Sequence, residues 1–181
     1  MNYAKIRKCD VANGPGVRVS LFVSGCNHHC KNCFNKEAWD FNYGEKFTEK
    51  QEKQIIEDLK PDYITGLSLL GGEPFEKENQ QGLAPLVKKV KETYPNKKIW
   101  CYTGFTFDKQ IIDQMVKEEK RDTTKQMLEN IDYIVDGRFV EELKDPKLRF
   151  RGSSNQRIID VKKSLEQKEV VLWDGLNKDL G

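Results

Sequence analysis

The sequence predicts an α/β fold with a mainly parallel sheet covered by helices, on three observations. Short runs rich in β-branched and apolar residues alternate with amphipathic helical patterns. Most of those runs end in a glycine-containing turn, where open α/β sheets place their ligand chemistry. No Pro-, Gly- or Ser-rich linker divides the 181 residues, so one domain spanning residues 1–181 is expected.

The first strand is expected at Arg18-Val-Ser-Leu-Phe-Val23, ending in Ser24-Gly25. Similar runs follow at Ile64 to Leu70, Lys98 to Tyr102, Ile131 to Val135 and Arg157 to Val161, which makes five strands. Between them, Ile55, Ile56 and Leu59 form one helical stripe, Leu83, Leu86, Val87 and Val90 a second, and Ile111, Ile112, Met115 and Val116 a third. The charged run Lys117 to Asp122 reads as a solvated helix end or connection. Val170 to Trp173 reads either as a last edge strand or as a tail packed on the core.

Composition narrows the function. Lys and Arg number 31 against 29 Asp and Glu, a net charge of +2, without the basic excess that tracking a phosphate backbone requires. Nucleic acid is therefore not an expected partner. No basic-then-apolar leader opens the chain, and no apolar run approaches the roughly 18 residues of a membrane span, so a soluble, cytoplasmic protein is expected.

Three of the five cysteines fall within eight residues, Cys26-Asn-His-His-Cys30-Lys-Asn-Cys33, directly after the first expected strand. Soft thiolates in a C-x3-C-x2-C spacing suit an iron-sulfur cluster, and three ligands for a four-iron cubane leave one iron open to an external ligand. The competing reading is a zinc knot completed by His28, His29 or a distant cysteine. Cys9 and Cys101 are expected to be small buried hydrophobes.

The spacing after a strand is similar to the signature of radical S-adenosylmethionine enzymes. The likeness extends to Gly71-Gly72-Glu73-Pro74 after the second expected strand. It narrows to the activating enzymes of anaerobic (class III) ribonucleotide reductase through Asn13 to Arg18, Gly25 to Asn35, Trp100 to Gly104, and Asp132 to Glu142 leading into Arg149 to Arg157. The resemblance implies a small incomplete (β/α) barrel, a 4Fe-4S cluster on Cys26, Cys30 and Cys33, and S-adenosyl-L-methionine as cofactor. It implies that Gly71, Gly72 and Glu73 hold the cofactor's amino group. Asn32, Cys33 and Phe34 then lie against its adenine, although many members carry an aromatic residue where this chain has Asn32.

Asp136-Gly137-Arg138 offers an acceptor for ribose hydroxyls and a guanidinium suited to a carboxylate, or an ordinary turn with a solvated ion pair; the resemblance favours cofactor binding. Arg149, Arg151 and Arg157 form a basic turn without an assigned catalytic role.

The implied reaction is reductive cleavage of S-adenosylmethionine to a 5'-deoxyadenosyl radical, which abstracts hydrogen from a glycine of the large reductase subunit. A reduced flavodoxin-type protein is the implied electron donor. The alternatives are a pyruvate formate-lyase activase, a 7-carboxy-7-deazaguanine synthase, or a non-enzymatic zinc-binding adaptor.

Overall fold

The computed structural model describes residues 1–178. A seven-stranded sheet runs in the order β3-β1-β2-β4-β5-β6-β7. Its centre is β2 (Val17–Val23), β4 (Ile64–Gly71), β5 (Lys98–Tyr102) and β6 (Tyr133–Asp136), all parallel. β1 (Asn2–Asp10) pairs antiparallel with β2, the two-residue β3 (Glu45–Lys46) with β1, and β7 (Arg157–Asp160) with β6. The mainly parallel α/β expectation therefore holds, with antiparallel strands added at both margins. All five expected strands are present; β1 and β3 are additional.

Alternation along each strand divides the residues between two faces. Val19, Leu21 and Val23 of β2, Leu67 and Leu69 of β4, and Ile99 and Cys101 of β5 pack on α1 (Glu49–Asp58) and α2 (Lys77–Thr93) through Ile55, Leu83, Leu86, Val87 and Val90. The same core takes Ile111 and Met115 from a π-helix, Phe107–Glu118, and Met127 and Leu128 from α3 (Asp122–Asn130). The opposite face of β5 to β7 carries a second cluster, where Trp100, Val135 and Ile158 pack with Phe150 and Trp173.

The third apolar stripe is thus helical but wound wider than an α-helix, with Ile111 N donating to Thr106 O and Glu119 N to Gln114 O, five residues apart. Its buried line is Phe107, Ile111 and Met115, while Ile112 and Val116 are only half-buried. The charged run Lys117 to Asp122 is the junction between this helix and α3. After α4 (Val161–Gln167), Val170 to Trp173 returns along β7, bridging Leu172 to Ile159 and donating Trp173 N to Ile158 O. α5 (Gly175–Lys178) ends the described chain.

Cys101 is fully buried, as expected. Cys9 is a correction: it is exposed, because β1 lies near the sheet margin, where β3 covers only Asn2 and Tyr3. Among the described residues no helix is long and apolar enough to cross a membrane.

Candidate functional site

The four parallel strands deliver their carboxyl ends to one side of the sheet, and the cysteine loop, Gly71-Gly72-Glu73, Thr103-Gly104 and Asp136-Gly137-Arg138 all lie there. The chain leaves β2 at Ser24, and a short 3-10 turn, Lys36–Trp39, braces the loop that follows. Gly25 N donates to Ala38 O at 2.8 Å and Cys26 N to Trp39 O at 3.2 Å. His29 stacks on Trp39 with ring centroids 4.3 Å apart, and Cys33 N closes a turn onto Cys30 O at 3.1 Å.

Cys26, Cys30 and Cys33 are free, half-buried thiols in this loop. Burial, reinforced by the nearby Glu73, Glu76 and Cys30 and opposed by the His28 backbone N–H, pushes Cys26 up to about 12. Burial also raises Cys30, with Cys33 adding to it, while Arg138 and the Phe139 backbone N–H favour its thiolate. Cys30 thus feels Cys33 and is felt by Cys26. Iron supplies the positive charge that turns such thiols into thiolate ligands. The donor set fits a cluster: three soft ligands, uncommitted to disulfides, in one braced loop. Among the described residues no three His, Cys, Asp or Glu side chains converge on a single-ion site. A cubane asks for something different, since its thiolates bind separate irons.

Gly71 and Gly72 bring β4 tightly against β2. Gly72 N donates to Val23 O at 2.7 Å and Glu73 N to Gly25 O at 2.8 Å. A Cβ on Gly72 would stand 2.6 Å from Gly25 O and 2.9 Å from Ala38 O, so glycine here is what lets the cysteine loop seat.

Glu73 is 1% exposed and is the most heavily bonded side chain of the site. Its Oε1 accepts from Thr103 Oγ1 at 2.6 Å and Phe75 N at 2.9 Å; its Oε2 accepts from Gly104 N at 2.7 Å and lies 2.9 Å from His28 Nε2. Both oxygens are thus filled from within the chain.

Asp136, also 1% exposed, accepts from Phe107 N at 2.8 Å and bidentately from Arg157, Nε to Oδ1 at 3.0 Å and Nη2 to Oδ2 at 2.6 Å. Oδ1 takes a single donor and keeps acceptor capacity for a hydroxyl. Arg157 Nη2 also reaches Asp108 Oδ1 at 3.0 Å. These residues line a cleft of about 610 Å³ with Gly104, Thr106, Lys109, Gln110, Gly137, Arg138 and Asn155, a size suited to a small molecule.

The structure therefore brings Asp136 and Arg138 to one cleft and puts Arg138 beside Cys30. Gly71, Gly72 and Glu73 do not line this cleft; they pack against the start of the cysteine loop. Asn32 sits at φ 58° in that loop, and the Phe34 ring projects outward, 94% exposed. Sequence reasoning missed His28 as a partner of Glu73, and Thr103, Asp108 and Arg157 as members of the same rim. No local signal pairs Arg157 with Asp136, because the antiparallel return of β7 beside β6 follows a long connection.

Residues 12–159 match the family described as a 4Fe-4S single cluster domain. The chain is similar to proteins named anaerobic ribonucleoside-triphosphate reductase-activating protein. That of Pasteurella multocida (strain Pm70) is 44% identical over 161 residues, 87% of this chain and 96% of the relative. That of Escherichia coli (strain K12) is 43% identical over 158 residues, 86% of this chain and 96% of the relative. That of Enterobacteria phage T4 is 40% identical over 158 residues, 87% of this chain and 93% of the relative. A cysteine loop seated on a glycine turn, in a chain matched along nearly its whole length, means that this protein belongs to the anaerobic ribonucleoside-triphosphate reductase-activating proteins and carries their 4Fe-4S single cluster domain.

Proposed function

We propose that this protein activates an anaerobic ribonucleoside-triphosphate reductase, with Cys26, Cys30 and Cys33 holding a 4Fe-4S cluster and S-adenosyl-L-methionine bound at the strand ends. The observation that carries the reading is the cysteine loop itself: three free thiols braced against the Gly71-Gly72-Glu73 turn, without a fourth in the same loop. Cys26, Cys30 and Cys33 would hold the cluster, which when bound would supply the one-electron chemistry for reductive cleavage of S-adenosylmethionine and, through it, for hydrogen abstraction from a glycine of the reductase.

The chain's own residues bind and orient. Arg138, beside Cys30, suits the carboxylate of the methionine moiety, and Asp136 Oδ1 suits a ribose hydroxyl. Gly71, Gly72 and Glu73 are the segment that the resemblance assigns to the cofactor's amino group; the Glu73 carboxylate, already filled by Thr103 and Gly104, would hold that turn in register. Asn32, Cys33 and Phe34 would form the adenine side, where the exposed Phe34 ring offers a face for stacking. The mainly parallel sheet supports a single-domain incomplete (β/α) barrel whose mouth the protein substrate covers, excluding water from the radical. A reduced flavodoxin-type protein supplies the electron.

The test is anaerobic reconstitution followed by incubation with S-adenosylmethionine, reductant and the reductase. About four iron and four sulfide per chain are expected. A glycyl-radical doublet should appear by electron paramagnetic resonance only with the reductase present. Stoichiometric zinc without labile sulfide, or cofactor cleavage that never yields the doublet, overturns the reading.

A further inference from the structure

Beyond Cys26 the cysteine loop has little regular structure, so the contacts that fix it against the sheet stand out. Two reach the turn after β4: Asn27 N donates to Glu76 Oε1 at 2.9 Å, and His28 Nε2 meets Glu73 Oε2 at 2.9 Å. The His28 and Glu73 side chains are 5% and 2% exposed, and the imidazole packs edge-on against Phe105 with centroids 4.4 Å apart. Glu73 Oε2 already accepts from Gly104 N, and Oε1 from a hydroxyl and an amide, so the hydrogen shared with His28 sits on Nε2. The chain makes room for this ring: a Cβ on Gly104 would lie 2.5 Å from His28 Cδ2. Directly after His28 the loop takes left-handed turns at two non-glycine residues, His29 at φ 49° and Asn32 at φ 58°, which persist only where surrounding contacts over-determine them.

We propose that His28 is a positioning residue: by donating Nε2–H to Glu73, it sets the distance between the loop carrying Cys26 and Cys30 and the ends of β4 and β5. This rests on the reading above that the loop holds a cluster and that the cofactor binds at those strand ends. His28 stands midway between two ligands, and Glu73 ties β4 to β5 through Thr103 and Gly104. The pair therefore links the side that would supply an electron to the side that would receive it. A displacement of about 1 Å between reacting groups costs on the order of a hundredfold in rate.

Two substitutions separate the hydrogen bond from the packing. His28→Phe keeps a ring against Phe105 but gives Glu73 no N–H; His28→Gln offers an N–H at similar reach. Both are compared with the wild-type chain for iron and sulfide content, for the change in the reduced cluster's paramagnetic resonance on adding S-adenosylmethionine, and for single-turnover cleavage. Amide hydrogen exchange of residues 27–32 is followed in the cluster-free protein.

His28→Phe is expected to keep iron and sulfide, lose the cofactor-induced spectral change, and cleave about a hundredfold more slowly. It should also exchange faster at residues 27–32. His28→Gln should return cleavage to within about tenfold of wild type and restore the spectral change. The proposal is overturned if His28→Phe matches wild type in spectrum and exchange, which leaves only packing, or if both variants fail to assemble the cluster, which makes the role one of folding. A wild-type chain lacking any cluster or spectral response to the cofactor sinks the functional reading instead. In that case unchanged exchange at residues 27–32 in His28→Phe still sinks the positioning role, and faster exchange upholds it.

Discussion

Replacing Arg157 by alanine tests whether the end of β6 is held by a buried ion pair. Asp136 is 1% exposed and has three donors: Phe107 N, Arg157 Nε and Arg157 Nη2. The substitution leaves only the first. A hydrogen bond to a charged group is worth about 1.5–3 kcal/mol, so two amount to about 3–6 kcal/mol before solvent is counted. The Arg157 side chain is 34% exposed and lines the open cleft, so water reaches part of the vacated volume and screens the remaining charge. A net loss of about 2–3 kcal/mol follows, which for a chain of this length lowers the melting temperature by about 4–12 °C. Urea unfolding of the cluster-free protein at neutral pH, followed by circular dichroism, reads it as a shift in midpoint at unchanged slope. Adding Asp136→Asn to Arg157→Ala removes the stranded charge and should recover about 1 kcal/mol. A loss below about 0.5 kcal/mol for Arg157→Ala, the range of ordinary surface changes, refutes the reasoning. So does a double variant less stable than the single one.

Three further outcomes are expected. Gly72→Val drives a side chain into the Gly25 and Ala38 carbonyls, so it should cost about 1–3 kcal/mol in urea unfolding and also lower the iron bound on reconstitution. A variant that keeps full iron content and loses only cofactor affinity in calorimetry would show instead that the turn serves the ligand alone. Single Cys26→Ala, Cys30→Ala and Cys33→Ala variants should each lose the cluster's absorption and labile sulfide, whereas exposed Cys9→Ala should change neither cluster nor stability. Phe34→Ala should unfold within about 0.5 kcal/mol of wild type, since its ring is 94% exposed, and bind S-adenosylmethionine up to about tenfold more weakly if the ring stacks on adenine.

The parallel core was legible because its strands are buried on both faces or nearly so, and such strands spell themselves in consecutive apolar letters. β1 was not: Lys5, Arg7, Lys8 and Cys9 are exposed near the sheet margin, and its sequence reads as polar. The two residues of β3 are both exposed and carry no pattern at all. The π-helix hid because Ile111, Ile112, Met115 and Val116 also fit an α-helical stripe, and only its backbone hydrogen bonds reveal the wider winding. At the site, Cys26, Cys30 and Cys33 stood out by spacing, a local signal. His28 and Glu73 are 45 residues apart and meet only because β2 and β4 are parallel neighbours. Asp136 and Arg157 face each other because β7 returns antiparallel to β6, a direction that the preceding loop does not announce.

Glu73 and Asp136 do the same thing at two strand ends. Each is a buried carboxylate just after or at the end of a parallel strand, and each collects donors from its neighbours. Glu73 takes Thr103 and Gly104, at the end of β5, and His28 of the cysteine loop. Asp136 takes Phe107, at the start of the π-helix, and Arg157 of β7. The segment from Thr103 to Phe107 is thus pinned at both ends, and its middle is tied too, through Gly137 N to Phe105 O at 3.1 Å. The result is a continuous hydrogen-bonded rim from the cysteine loop across β4, β5 and β6 to β7. Apolar residues of similar volume often hold a fold as well as buried charges do, so stability alone does not explain two such carboxylates at one edge of the sheet. What they add is direction. Hydrogen bonds to a carboxylate fix the angle and distance of every donor, and a site that places a cluster against a cofactor needs those distances held to a fraction of an ångström.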